Sequence, residues 1–194
     1  ELFVLEGRGR LGDADLNVHH YAYLPAAWAA GSVVAERDLV MLAMFSAPPQ
    51  PAADGAPYDS SRLIGPIDTT MLKWDNSGID PNINHLHASR KNLRLSPEGD
   101  CRTYLLGGMP QGFPPEDTPL ETHPHVEEFF MVSGDMSVHC GIMRAGAYFW
   151  RPNRTVSNWS SARYPVSFEP AHRPVLPPEL RDAGAVALPP PVSY

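Results

Sequence analysis

Apolar and polar positions alternate with a period of two over much of this chain, in runs too short for helices. In Met136-Ser-Val-His-Cys140 the apolar Met136, Val138 and Cys140 alternate with Ser137 and His139, the signature of a strand with one face buried. Gly134-Asp135 and Gly141 punctuate that run as turn signals. Short apolar or aromatic runs at residues 93–95, 103–106, 129–132, 147–150 and 166–168 recur at roughly hairpin intervals, and 2–5, 21–24 and 39–45 read the same way near the start. The pattern predicts an all-β protein whose strands close into a two-sheet jelly roll, with one short helical turn near 178–183.

The strand pattern repeats. Glu1-Leu-Phe-Val-Leu-Glu-Gly7 returns as Glu128-Phe-Phe-Met-Val-Ser-Gly134, an offset of 127 (128 − 1). The same offset aligns Pro25 with Pro152, Tyr21-Ala-Tyr-Leu24 with Tyr148-Phe-Trp-Arg151, and 39–45 with 166–172. Three landmarks in register with matching strands imply two copies of one unit. The expected organisation is the C-terminal part of a first unit over 1–45, a Pro/Ala-rich linker over 46–62, a complete second barrel over 63–175 and a Pro-rich tail over 176–194. The first copy is shorter by ~60 residues, judged from the length of a whole unit. A chain that opens on Glu1 inside a strand reads as a fragment, and a part-barrel must pair its edges with missing sequence, the second unit or another chain.

Composition narrows the function. The net charge of −7, without any Lys/Arg cluster, argues against nucleic acid or an anionic membrane as partner. No apolar run approaches the ~18 residues that would span a bilayer. Cys101 and Cys140 are too few for a disulfide scaffold and read as small core residues, which fits a cytoplasmic protein. The sequons at Asn153 and Asn158 read as chance matches, because no signal peptide is visible.

Two motifs carry a resemblance. Glu121-Thr-His123-Pro-His125-Val-Glu127-Glu128-Phe-Phe-Met-Val-Ser-Gly134 resembles the first cupin motif, G-x(5)-H-x-H-x(3,4)-E-x(6)-G, and Gly146-Ala-Tyr-Phe-Trp-Arg-Pro152 resembles the start of the second. The shape is similar to that of ChrR-like, anti-sigma-factor-type cupins. The resemblance implies a double-stranded β-helix barrel and a site of three histidines and one glutamate around a divalent metal such as Fe, Mn, Ni or Zn. Six spacers back from Gly134 place the carboxylate at Glu127, and three more place one histidine at His123, with Glu121 where the first histidine belongs. The other register takes His123 and His125 as the pair. Where the family has its third histidine stands Ser157, where it has a glycine stands Arg154, and the first copy shows Ala30 and Ala27 there, keeping Glu1 alone as a candidate.

Other candidates fill out the picture. His139 lies on the strand face opposite Met136 and Val138 and replaces the missing histidine if that face points inward. His85-Leu-His87 is a second H-x-H pair, without a downstream glutamate and glycine. Tyr148, Trp150 and Arg151 are the substrate-binding candidates: the rings pack the barrel or stack on a ligand, and Arg151, with Arg154, is suited to a carboxylate. No phosphate loop or Ser/His/Asp arrangement is present. The metal set is therefore Glu121, His123, His125, Glu127 and His139, and the favoured reading is a small-molecule-binding cupin with a mononuclear metal site, dioxygenase-like if catalytic. The alternatives are a metal-free ligand-binding or sensor module and a structural role. Association into a homo-oligomer would run through barrel edges.

Overall fold

A computed structural model describes residues 1–28, 31–51, 53, 55–79, 81, 86–99, 101–109, 120–122, 124–138 and 141–169. The first part forms β1 (Leu2–Leu11), β2 (Ala14–Asn17), β3 (His20–Tyr23) and β4 (Val33–Ala43), followed by β5 (Ile64–Asp68). The second forms β6 (Ser89–Leu95), β7 (Arg102–Gly107), β8 (Leu120–Thr122), β9 (Glu127–Val138), β10 (Gly141–Arg144), β11 (Tyr148–Arg151) and β12 (Val156–Glu169). One sheet has the order β2-β1-β3-β5 with β4 also on β1. The other has the order β10-β9-β12-β7-β6, with β11 on β9 and β8 on β12. This is the all-β jelly roll expected from the alternation. The described residues add only two 3₁₀ turns, Ser60–Arg62 and Thr69–Met71. The turn expected near 178–183 lies outside them.

Strand pairing reproduces the 127-residue offset in the hairpins and in the β1–β3 and β9–β11 pairs. Arg8 pairs with Asn17 and Leu11 with Ala14, while Asp135 pairs with Arg144 and Val138 with Gly141. Phe3 opposite Tyr21 likewise becomes Phe130 opposite Tyr148. Backbone conformation repeats too: φ is +82° at Gly7 and +79° at Gly134, and +63° at both Ala27 and Arg154. The last pair shows that the motif's glycine conformation survives in residues that pay about 1–2 kcal/mol to adopt it.

Interiors match as well. Val4, Leu16 and Ala22 pack together in the first part, and Met131, Met143 and Phe149 occupy the equivalent places in the second. A third cluster joins the units, with Phe3 and Tyr21 of β1 and β3 against Leu93 and Leu105 of β6 and β7. At Phe3 and Val4 β1 is thus buried on both faces, Val4 inward and Phe3 towards Leu93 and Leu105.

A polar knot sits in this junction. The Glu1 carboxylate accepts from Tyr21 Oη at 2.8 Å, Thr103 Oγ1 at 2.8 Å and Arg94 Nη1 at 3.2 Å. Arg94 also lies over the Tyr23 ring, 4.1 Å from its centroid. Glu1, a metal candidate on motif grounds, is thus engaged in holding the two units together. Backbone pairing adds to the junction, because β5 hydrogen-bonds to β3, with His20 opposite Asp68 and Tyr21 opposite Ile67.

Gly7 marks an irregularity in the β1–β4 ladder, where the register shifts between Val4, Glu6 and Arg8. A Cβ there would overlap the carbonyl oxygens of Arg37 and Asp38. Gly7→Ala should therefore cost about 2 kcal/mol, from positive φ and local displacement together. Urea unfolding that leaves the midpoint unchanged would contradict this.

Candidate functional site

The motif residues lie at one end of the second barrel, on β8, β9, β11 and β12. Along β9, Glu127, Phe129 and Met131 are buried in alternation, so the motif carboxylate shares the inward face of the core. On β11 the inward positions are Phe149 and Arg151. Because Glu127 stands directly opposite Arg151 in the β9–β11 ladder, their side chains meet: Arg151 Nε and Glu127 Oε2 form an ion pair whose side chains are 8% and 5% exposed. The Phe149 ring stacks on Phe129 at 5.1 Å between centroids, and the Arg151 guanidinium lies 5.9 Å from it. The result is an aromatic floor carrying a neutral ion pair.

The β8–β12 ladder sets Glu121 directly opposite Ser157. The backbone therefore still brings together the first motif's leading ligand position and the second motif's histidine position. The residue types, a glutamate and a serine, have changed. His125 follows on an exposed bend before β9. His123 and His139 lie outside the described residues, as does His85, and its partner His87 is exposed in a turn. Among the described residues, no three His, Cys, Asp or Glu side chains gather around a common point.

The three substrate candidates do not share a surface. Arg151 points inward, whereas Tyr148 and Trp150 occupy the other face of β11 and are 54% and 40% exposed. Alternation along a strand enforces this separation. Sequence reasoning did not find the pairing of Arg151 with Glu127. The pairing comes from the β9–β11 register, which no spacing along a single strand contains.

Jelly-roll closure, the repeated hairpins and inward motif positions at one barrel end together define the cupin fold. A solved structure shares this fold. A crystal structure of a putative dioxygenase from Nostoc punctiforme matches with TM-score 0.63 at 18% identity, over 96% of this chain and 63% of that one. An RmlC-like cupin from Ralstonia eutropha matches at TM-score 0.46 and 16% identity, over 58% and 71%. The Rhodobacter sphaeroides complex of SigE with the anti-sigma ChrR matches at 0.39 and 16%, over 53% and 50%. The chain thus spans less than two thirds of the length of the Nostoc relative. No family model and no curated protein matches the sequence. No helix among the described residues is long and apolar enough to cross a membrane.

Proposed function

We propose that the second barrel is a small-molecule-binding cupin in which Arg151 has become the counter-charge of Glu127, so that ligand binding needs no metal. The observation that carries this reading is the buried Glu127–Arg151 ion pair at the motif carboxylate. A divalent ion at Glu127 would face a guanidinium already in place, and like charges at such range repel strongly in a poorly solvated site. Glu121 opposite Ser157 supports the same reading, because the second motif contributes no imidazole there. Residues 1–45 are proposed as part of a first unit whose role is to brace the second barrel.

A second reading keeps a mononuclear Fe, Mn, Ni or Zn site built from Glu121, His123, His125, Glu127 and His139, dioxygenase-like in its chemistry. The spacing of Glu127 from Gly134 and the retained β8–β12 backbone favour it. It requires Arg151 to leave Glu127. Metal analysis separates the two readings. Protein purified without chelators and then offered Fe(II), Mn(II), Ni(II) or Zn(II) should hold less than roughly a tenth of an equivalent after desalting. Stoichiometric retention of any of these ions would overturn the metal-free reading.

A further inference from the structure

Between the two units lies a cavity of about 580 Å³, separate from the barrel interior and within the range typical of small-ligand pockets. It straddles the relation between the repeats. Phe3 and Leu5 face it from the first copy, and their images Phe130 and Val132 from the second. The exposed Glu6 and His19 stand at its edge, where their images are Ser133 and Gly146. Its far wall belongs to the second unit alone and carries Trp74 and Lys91.

Lys91 is the unusual member. It lies on β6 and is 8% exposed. Its Nζ donates to the carbonyls of Thr69 at 2.9 Å and Thr70 at 3.5 Å, and sits 4.7 Å from the centroid of the Trp74 ring. Among the described residues no carboxylate forms an ion pair with it. A buried ammonium without a counter-ion is costly, and an ammonium has three donors, of which two are used. The third N–H and the charge have only the Trp74 ring beside them, at the wall of a mainly apolar cavity.

We propose that this cavity is a binding site for a small monoanionic carboxylate with an apolar or aromatic body. Its carboxylate takes the remaining Lys91 donor, and its body lies between Phe3, Leu5, Phe130 and Val132. A single ammonium matches a single negative charge, and Glu6 at the edge disfavours more highly charged anions. The asymmetry of the wall fixes orientation, since only the second unit supplies a cation. This site does not depend on the reading of the barrel around Glu127.

The test titrates 3-phenylpropionate, 3-phenylpropan-1-ol and 3-phenylpropylamine into the whole chain, by calorimetry and by methyl chemical shifts at Leu105 and Val132. The acid should saturate and bind about tenfold to a hundredfold more tightly than the alcohol, the usual worth of a charged hydrogen bond, while the amine should not bind. Lys91→Met, which keeps the length and packing of the side chain, should bring the acid down to the alcohol's affinity. Val132→Trp, which fills the cavity without touching Lys91, should abolish both. Equal affinities for acid and alcohol, or no saturation by the acid up to about 10 mM, would overturn the proposal even if the variants failed to fold. An acid preference that survives in Lys91→Met would place the anion elsewhere and overturn it equally.

Discussion

Replacing Arg151 with leucine should lower stability by about 3–5 kcal/mol, because it takes the paired opposite charge away from the buried Glu127 carboxylate. At ~2–4 °C per kcal/mol for a chain of this size, the thermal midpoint should fall by roughly 6–20 °C. The size of the effect follows from burial, since the two side chains are 8% and 5% exposed and solvent does little to screen them. The double variant Glu127→Leu/Arg151→Leu should recover most of the loss, as apolar replacements of whole buried pairs do. Circular dichroism melts of the four proteins complete the cycle. A single Arg151 variant melting within about 2 °C of the parent would mean that Glu127 does not depend on the pair, and would remove the main support for the metal-free reading.

The second large effect is expected at the junction. Arg94 and Glu1 are 10% and 11% exposed, and Arg94→Met leaves the carboxylate with only two hydroxyl donors. A loss of about 3 kcal/mol should follow, as for other buried pairs broken on one side, with a midpoint drop of roughly 6–12 °C. Tyr21 gives the same knot a pH dependence. Burial first, then the Glu1 charge and its hydrogen bond, hold the hydroxyl far above its ordinary value, against smaller opposing effects of Arg94 and Thr103. Only the unfolded chain can then ionise Tyr21 near pH ~10, so the stabilisation is complete below that pH and is lost as pH rises beyond it. Between pH 8 and 11 the parent should lose thermal stability more steeply than Tyr21→Phe. Parallel curves would exclude Tyr21 as the source.

Much of this architecture was legible in the alternation of residues. Met136-Ser-Val-His-Cys140 announced the β9–β10 hairpin, and the 127-residue offset anticipated a register that the two hairpins share. Less visible was β5, because Ile64-Gly-Pro-Ile-Asp68 holds a glycine and a proline and its pairing partner β3 lies in the other unit. β4 begins at Val33, six residues earlier than its densest apolar run, since Ala35, Glu36, Arg37 and Asp38 interrupt the pattern on a solvated strand. At the site, spacing identified Glu127 but not its partner. Which charge meets which is set by cross-strand register, and a count along one strand does not contain it. Lys91 stayed unremarked for a related reason: a lysine inside Arg90-Lys-Asn-Leu reads as solvated until Thr69, Thr70 and Trp74 close over it.

The pairing of β5 with β3 gives the repeat an unequal architecture. In sequence β5 opens the second unit, yet its hydrogen bonds complete the sheet of the first. The first sheet therefore holds a strand that follows the linker in sequence, while the second sheet takes none from before it. Separating the two would expose an edge on β3 and the apolar face formed by Phe3 and Tyr21 at once. The shared strand and the shared apolar cluster should make the chain unfold as a single cooperative block in which mutation of one half is felt by the other.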